Sequence, residues 1–531
     1  MKLVELNKLA IQVDSENSWS ELCGHYGSDG SLLADRLRLL RRLIHFALER
    51  WGARDVLLVR VPARVNLMGV HVDHRGGYLN YQTFAREMFL LASPREDDRI
   101  TACNVDGKYP DVGFSIGEDL PPERRGDWMT FIESVNLEKG HWSNYLKAAA
   151  LKLQDALPDR PICGFDLCVY GDIPPGAGLS SSSSLVVGTM IIANHLNRLG
   201  VSAADMVPLC AEGEWFVGTR GGAGDQGAML LSRRGLATHL RFFPMIYRYA
   251  PLPKGYGVVV CHSRIEAQKA AGARETFNTR VSGYALALLW IKEKFPEYAD
   301  RLEHLRDIHP KTLQVDEGRI YEIIRSVPVS ISSDDIRRQI SARKGEVERV
   351  FTTFGHSSQP YPLREILLFG LAECRRSEVF AGLLDNGDVQ TAGRLMCISH
   401  DGDRISRIRD GMAEPYRSPF ADIYLNDRIQ DCRSGDPARI ERSALQYQPG
   451  GYRCSVPELD RMVDVCSRVD GVVGASLTGA GLGGCILVLA RDDAVDRLRG
   501  SLLNEYYRPL GFEPFMEICI SVAGAGIIET P

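Results

Sequence analysis

The sequence predicts an α/β protein of two domains, and three observations carry that expectation. The chain has 531 residues, more than one hydrophobic core usually serves. Apolar runs of strand type alternate with amphipathic helical patterns in both the first and the last part of the chain. Glycine-rich turns stand at the switches between them, at PPGAG (174–178), GTRGGAGDQG (218–227) and GAGLGG (479–484).

The elements follow in order. Residues 1–35 are polar and end in the Gly- and Ser-rich HYGSDGS, which reads as a loosely packed leader. Residues 36–50, RLRLLRRLIHFALER, place Leu, Ile and Phe at helical spacing beside Arg. DVLLVRVPARVNL reads as a strand entering a turn, and strand patterns follow at LNYQ and MFLLAS. Residues 142–157 form a helix pattern, and Phe165–Tyr170 alternates as a strand before the Pro-Gly turn. Helices are expected over about 182–196 and 203–216, and GYGVVVCHS near 255–263 reads as a buried strand. Beyond it the chain is mostly helical to about residue 400. Charged segments at roughly 300–360 and 405–450 look like insertions. The end returns to α/β character with PELDRMVDVCSRV, CILVLA and ICISVAGAG. The expected division is therefore a leader (1–35), an N-terminal domain (36–245) and a C-terminal domain (246–531).

Composition narrows the function classes. Hydrophobic residues make up 44% and charged residues 25%, the profile of a soluble globular protein. A formal net charge of −5 gives no footprint for nucleic acid or an anionic membrane, so neither is expected as a partner. The 13 cysteines are scattered singly, without CxxC pairs or zinc-type spacing, which fits reduced thiols. The N-terminus lacks the apolar core of a signal peptide, and runs such as LVVGTMIIA are too short to cross a bilayer. A cytoplasmic protein is the expectation.

Four motifs carry chemistry. In Pro174–Ser184, PPGAGLSSSSS, Gly176 and Gly178 let the backbone approach a bulky anion at the start of a helix whose N–H groups are free. The hydroxyls add donors and a candidate Mg²⁺ ligand. A flexible Ser-rich linker is the competing reading, but a linker has no reason to open the core helix LVVGTMII. In Gly474–Ala490 the GxGxxG of Gly479, Gly481 and Gly484 precedes its strand instead of following one, so a dinucleotide fold fails on context. What remains is a loop that packs tightly against another segment. In Arg60–Gly77, Arg64 follows a Pro-Ala turn, and His71, Asp73 and His74 cluster before Gly76-Gly77. A bare HxDH is more often a hydrogen-bonded loop than a metal site. In GTRGGAGDQG, Asp225 could cap a helix or serve chemistry.

Together these segments resemble the galactokinase branch of the GHMP kinase superfamily. ARVNLMGVHVDHRGGYLN resembles the signature GRVNLIGEHTDYNGGYVL, and PPGAGLSSSSSL resembles the phosphate loop PxGxGLxSSxS. GTRGGAGDQ resembles GxxCGxMDQ, FNTR (277–280) resembles YNxR, CSVPELD resembles SCPELD, and SLTGAGLGGC resembles RMTGGGFGGC. Six matches occur in the family's order. The resemblance implies a GHMP kinase fold, with a ribosomal-S5-like N-terminal domain, a ferredoxin-like C-terminal domain and the active site in the cleft between them. It implies ATP and Mg²⁺ as cofactors and a small sugar as substrate. Pro175, Gly176, Ala177, Gly178, Leu179, Ser180, Ser181 and Ser182 would hold the ATP phosphates, Ser182 also the metal. Trp142 and Tyr145 would lie near the base, and Gly479 and Gly481 would close over the phosphate loop. Asp225 would face the substrate hydroxyl with Arg64 beside it, and Gly224, Val70, His71, Asp73, His74 and Phe277 would form the sugar pocket.

The sequence departs from the family where the sugar should sit. Val70 replaces the Glu that binds a galactose 6-hydroxyl, Phe277 replaces a Tyr, and His74 replaces another. The loop GVHVDHRGG is closer to the galacturonokinase pattern GAHIDHQGG. The resemblance therefore implies phosphorylation of an anomeric (C1) hydroxyl on a uronic acid, a pentose or a 6-deoxy sugar. A true galactokinase and a non-catalytic sugar sensor are the alternatives.

Overall fold

The structure, a computed structural model, describes residues 3–15, 22–138, 140–218, 221–266, 271–409 and 412–529. The chain divides into two compact units. One comprises Met1–Val65, Tyr81–Thr238 and Cys519–Pro531, the other Asn66–Asn80 and His239–Ile518. The expected split at 245/246 differs in detail: the last 13 residues of the chain return to the first unit, and the loop carrying HVDH is counted with the second.

The first unit is built on a sheet in the order Val4–Glu5, Asp55–Met68, Leu79–Pro94, Phe165–Gly171, Arg99–Asn104, Val112–Ser115. Arg99–Asn104 runs parallel to Phe165–Gly171, and Gly526–Ile527 adds to Asp55–Met68 at Arg60 and Val59. Every residue of Asp55–Met68 after the first is buried, so this strand is covered on both faces, with Arg60, Arg64 and Asn66 as its buried polar residues. Helices Ser143–Ala156, Ser181–Leu196, Ala203–Glu214 and Gly224–Leu231 pack on one another.

The leader expectation is overturned. Val4–Glu5 pairs with Asp55–Val56, and Leu6–Asp14 is a helix lying on the helix Gly30–Trp51. Leu6, Leu9, Ala10 and Val13 form one buried stripe at helical spacing, and Leu22 and Tyr26 join the same core. The stripe was in the sequence, but its helix is short and the Gly- and Ser-rich stretch after it suggested a loose segment. The long helix also begins earlier than residue 36, where Asp29 caps it by accepting from Ser31 N and Leu32 N at 2.9 and 3.0 Å. A buried pair locks this end of the chain to the other. Arg60 Nε donates to Glu87 Oε1 at 2.8 Å, Tyr26 Oη donates to Glu87 Oε2, and Arg60 Nη1 donates to the carbonyls of Ala523 and Gly524.

The second unit holds a four-stranded antiparallel sheet, ordered Val472–Thr478, Cys485–Arg491, Tyr256–His262, Met516–Ile518. Helices Pro457–Cys466 and Val495–Leu502 bury their apolar sides with it. A second core gathers around the helices Ala271–Lys294 and Leu363–Asp385. Both segments read as insertions belong to that core. Ile320, Ile324, Ile336 and Phe351 from the first and Leu425 and Leu445 from the second are buried in it. Helix Glu317–Ser326 packs on helix Asp422–Cys432, and Arg433 joins Asp316 and Glu322 in ion pairs. The charge that marked these segments as insertions is thus partly spent between them. Among the described residues no helix is long and apolar enough to cross a membrane.

Candidate active site

In the first unit the phosphate-loop motif is a turn anchored at alternate residues. Ala177 and Leu179 are buried, while Pro175, Gly176 and Gly178 are exposed. Gly176 and Gly178 have φ of 73° and 76°, which bends the loop while leaving its backbone open. Ser180 takes the left-handed conformation itself, with φ 61°. The helix Ser181–Leu196 starts there without a side-chain cap, so its first N–H groups remain available to an anion. Ser181 and Ser182 lie half-buried in its first turn.

Arg64, from the long central strand, meets this loop and Asp225. Its Nε and Nη2 donate to the two Asp225 carboxylate oxygens, both at 2.6 Å. Its Nη1 donates to Gly178 O at 2.9 Å and its Nη2 to Ser180 Oγ, which in turn donates to Asp225. Asp225 follows Gly224 in the first turn of the helix Gly224–Leu231. The side chains are 7% (Arg64) and 29% (Asp225) exposed, so the carboxylate keeps an open side. Burial alone would push the Asp225 carboxyl up. The Arg64 charge and hydrogen bonds from Arg64, Ser180 and Tyr81 outweigh it and hold Asp225 below the usual carboxylate range.

Glu214, which the sequence reading did not single out, joins this cluster. It ends the helix Ala203–Glu214 and accepts from Gln226 Nε2 at 2.9 Å. Burial, reinforced by the charge of Asp225, pushes its carboxyl up to about 7 against hydrogen bonds from Ser183 and Gln226 and the charge of Arg64. Its Oε1 is buried without a hydrogen-bond partner. A carboxylate so placed beside serine hydroxyls suits a divalent cation, because hard oxygen donors and an uncompensated negative charge are what Mg²⁺ takes. The missed signal was the acidic residue that ends this helix, four residues before Gly218 opens the GTRGGAGDQ turn. Tyr145 also lies within electrostatic reach of Glu214, whereas Trp142 is buried and donates Nε1 to Pro110 O at 3.0 Å.

In the second unit, the loop 66–80 is held from below. Glu373 Oε1 accepts from Gly69 N and Val70 N at 3.0 and 3.1 Å, and its Oε2 accepts from Arg376 Nε at 2.7 Å. Val70 is 6% exposed within the apolar core. The expectation that His71 grips a sugar is revised. Its side chain is 4% exposed, its ring stacks on Tyr452 at 4.2 Å, and its Nε2 lies 3.3 Å from Asp403. Those contacts fix the loop. Asp73 and His74, in the turn Asp73–Arg75, stay partly exposed, with His74 Nδ1 3.3 Å from Asp73. Burial draws the His74 ring below the usual histidine range. The neighbouring Arg75 donates to Val281 O, yet among the described residues its guanidinium forms no ion pair and its Nε is buried without a partner. Phe277 is half-buried on the helix Ala271–Lys294. The glycine loop has a partner in its own unit: a Cβ on Gly481 would stand 2.2 Å from Cys454 O, which accepts from Leu482 N at 2.7 Å.

Comparisons with known proteins agree with the motif reading. The model for the GHMP kinases N terminal domain matches residues 144–233, and that for the GHMP kinases C terminal domain matches residues 429–508. A galactokinase of Roseiflexus sp. (strain RS-1) is 27% identical over 479 residues, 90% of this chain and 94% of that protein. A galactokinase of Dictyostelium discoideum is 23% identical over 471 residues, 86% of this chain and 85% of the relative. Among solved structures, Lactococcus lactis galactokinase complexed with galactose has a TM-score of 0.61 at 20% identity, covering 91% of this chain and 98% of that one. That likeness shows a shared fold, the two-domain α/β architecture expected from the motifs. The chain carries both the N-terminal and the C-terminal domain of the GHMP kinases and is similar over most of its length to galactokinases.

Proposed function

We propose that the chain is an ATP-dependent sugar kinase that phosphorylates the anomeric hydroxyl of a monosaccharide other than galactose. The observation that carries the kinase part is the Arg64–Asp225–Ser180 cluster beside the glycine turn. The open turn Gly176–Gly178 and the uncapped helix behind it offer N–H groups to the ATP phosphates. Asp225, kept ionised by Arg64, accepts a hydrogen bond from the attacking hydroxyl and orients it. A carboxylate with a depressed pKa is a weak base, but phosphoryl transfer has a loose transition state and places little demand on early proton removal. Arg64 counters charge growing on the transferred group. Glu214 and Ser182 would hold Mg²⁺, which when bound neutralises phosphate charge. A non-catalytic sensor would have no use for this set.

The substrate part rests on the loop 69–75. Val70 supplies no carboxylate for a 6-hydroxyl, and a site that hydrogen-bonds a hydroxyl discriminates strongly against its loss. A uronic acid is favoured over a pentose or deoxy sugar by Arg75, a half-buried guanidinium that forms no ion pair among the described residues and whose Nε is buried without a hydrogen bond. Asp73 and His74 would bind the ring hydroxyls.

The test is a panel of galactose, galacturonate, arabinose and fucose with ATP and Mg²⁺, reading ADP release and the position of the new phosphate. Galacturonate is expected to turn over fastest, giving the 1-phosphate. Fastest turnover on galactose refutes the substrate reading. No turnover on any sugar favours the sensor.

A further inference from the structure

A pocket of about 210 Å³ lies in the second unit behind Gly76, Gly77 and Tyr78. Its lining is dominated by cations: Arg241, Arg306, Lys311 and Arg375, with His309 among them. Two carboxylates, Asp307 and Glu378, stand against these four charges. Glu378 accepts from Arg375 Nη1, and Asp307 lies 3.6 Å from Arg306 Nε. Among the described residues Arg241 and Lys311 have no ion-pair partner at all; Arg241 sits 5.3 Å from the Tyr78 ring centroid.

The hydrogen-bond inventory points the same way. Arg241 Nε, His309 Nε2 and Arg375 Nε are buried without a partner. All three are donors. His309 Nδ1 accepts from Lys311 N at 3.1 Å, so the neutral ring carries its proton on Nε2. Burial, then the charges of Arg375 and Lys311, holds that ring neutral by drawing it below the usual histidine range, Glu378 opposing. A pocket lined by unpaired donors and surplus positive charge lacks one kind of group, an acceptor with negative charge. Arginine forks and several N–H groups on one small volume match the geometry of a phosphate dianion.

The geometry points to a second, anion-binding site here, one that takes phosphate or the phosphate group of a small ester such as a sugar phosphate. It reaches the loop 66–80 directly. Arg306 Nη1 donates to Gly76 O at 3.1 Å and to Phe242 O at 2.7 Å, and a Cβ on Gly76 would stand 2.8 Å from Arg306 Cδ. An anion that draws on Arg306 therefore bears on the turn that carries Asp73 and His74, three and two residues before Gly76. Occupancy is expected to change the apparent affinity of the loop's own ligand more than the turnover rate.

The site is tested on the full chain by calorimetric titration with inorganic phosphate and, separately, with a hexose 1-phosphate, at saturating non-hydrolysable ATP analogue so that the glycine turn is filled. No turnover is needed, and the loss on changing Arg241 and Arg375 separates this site from any hexose 1-phosphate held in the proposed sugar pocket. Wild type is expected to bind at least one of the two; the tighter arm identifies whether free phosphate or an ester is the source. The double variant Arg241→Gln, Arg375→Gln is expected to weaken binding about tenfold or more. If that variant does not fold, the exposed Lys311→Gln replaces it, with a severalfold loss expected. Wild-type binding by a folded variant, or no binding of either anion to wild type at about ten millimolar, overturns the proposal.

Discussion

Asp225→Asn separates chemistry from architecture because the carboxylate serves both. It accepts two bonds from Arg64 at 2.6 Å and one from Ser180, with Tyr81 adding a further interaction. Asparagine keeps one acceptor oxygen but turns an N–H₂ toward a guanidinium, so at least one charge-assisted bond is lost, at about 1.5–3 kcal/mol. The pair is 7% and 29% exposed, so the stability loss is expected at about 2–3 kcal/mol, below the roughly 3–5 kcal/mol of a fully buried pair. The effect on turnover is expected to be larger: loss of the group proposed to orient the attacking hydroxyl is expected to lower kcat by about 10²–10⁴-fold, roughly 3–5 kcal/mol in the barrier. KM for the sugar should change less than kcat. A second readout does not depend on the substrate. Asp225 is one of the groups raising Glu214 to about 7, so the variant should lower the Glu214 midpoint in the ligand-free protein, followed by infrared titration of its carboxyl. The reasoning is refuted if a folded Asp225→Asn protein keeps kcat within about threefold of wild type.

Two further outcomes follow from buried groups. Glu214 binds a proton more readily folded than unfolded, the reverse of the usual carboxylate, so its contribution to stability is present at low pH. That contribution is lost as pH rises from the ordinary glutamate range through about 7. Ligand-free Glu214→Gln should therefore match wild type near pH 4 and exceed it by about 3 kcal/mol at pH 8, on a scale of about 1.36 kcal/mol per pKa unit. Coincident wild-type and variant denaturation profiles across that range would contradict it. Leu9→Ala, in a segment that reads as a leader, should cost about 2–5 kcal/mol in denaturant unfolding because Leu9 is fully buried among Leu6, Val13 and Leu22.

Legibility in the sequence depended on which physical constraint set each feature. The glycine turn was readable because positive φ and an exposed backbone demand glycine at 176 and 178, and the apolar helix behind it excluded a linker. Arg64 and Asp225 were readable through motif order; their bidentate contact joins positions 161 residues apart, which no local pattern encodes. Glu214 stayed hidden because one Glu at a helix end is common, and only the folded chain brings it to Ser183 and Gln226. The leader was misread because helical spacing over nine residues is a weak signal beside Gly, Ser and charge. The two charged segments looked detachable because each exposes ion pairs, while their apolar residues close a core only together.

The position of Val70 shows how a distant residue decides the meaning of a local departure. Losing a carboxylate from the loop could be offset if another carboxylate reached the same place, and Glu373 does touch the loop at Gly69 and Val70. Its two oxygens are already committed, Oε1 to two backbone amides and Oε2 to Arg376, and the ion pair is fully buried. Turning either oxygen toward a sugar hydroxyl would leave a buried amide or guanidinium unpaired, a cost comparable to the bond gained. Glu373 therefore fixes the loop and does not replace the missing side chain. The loop keeps its shape, lacks a carboxylate at position 70, and carries in Arg75 a half-buried cation that forms no ion pair among the described residues. That guanidinium is the feature on which the proposal of a substrate with negative charge rests, and the substrate panel tests it.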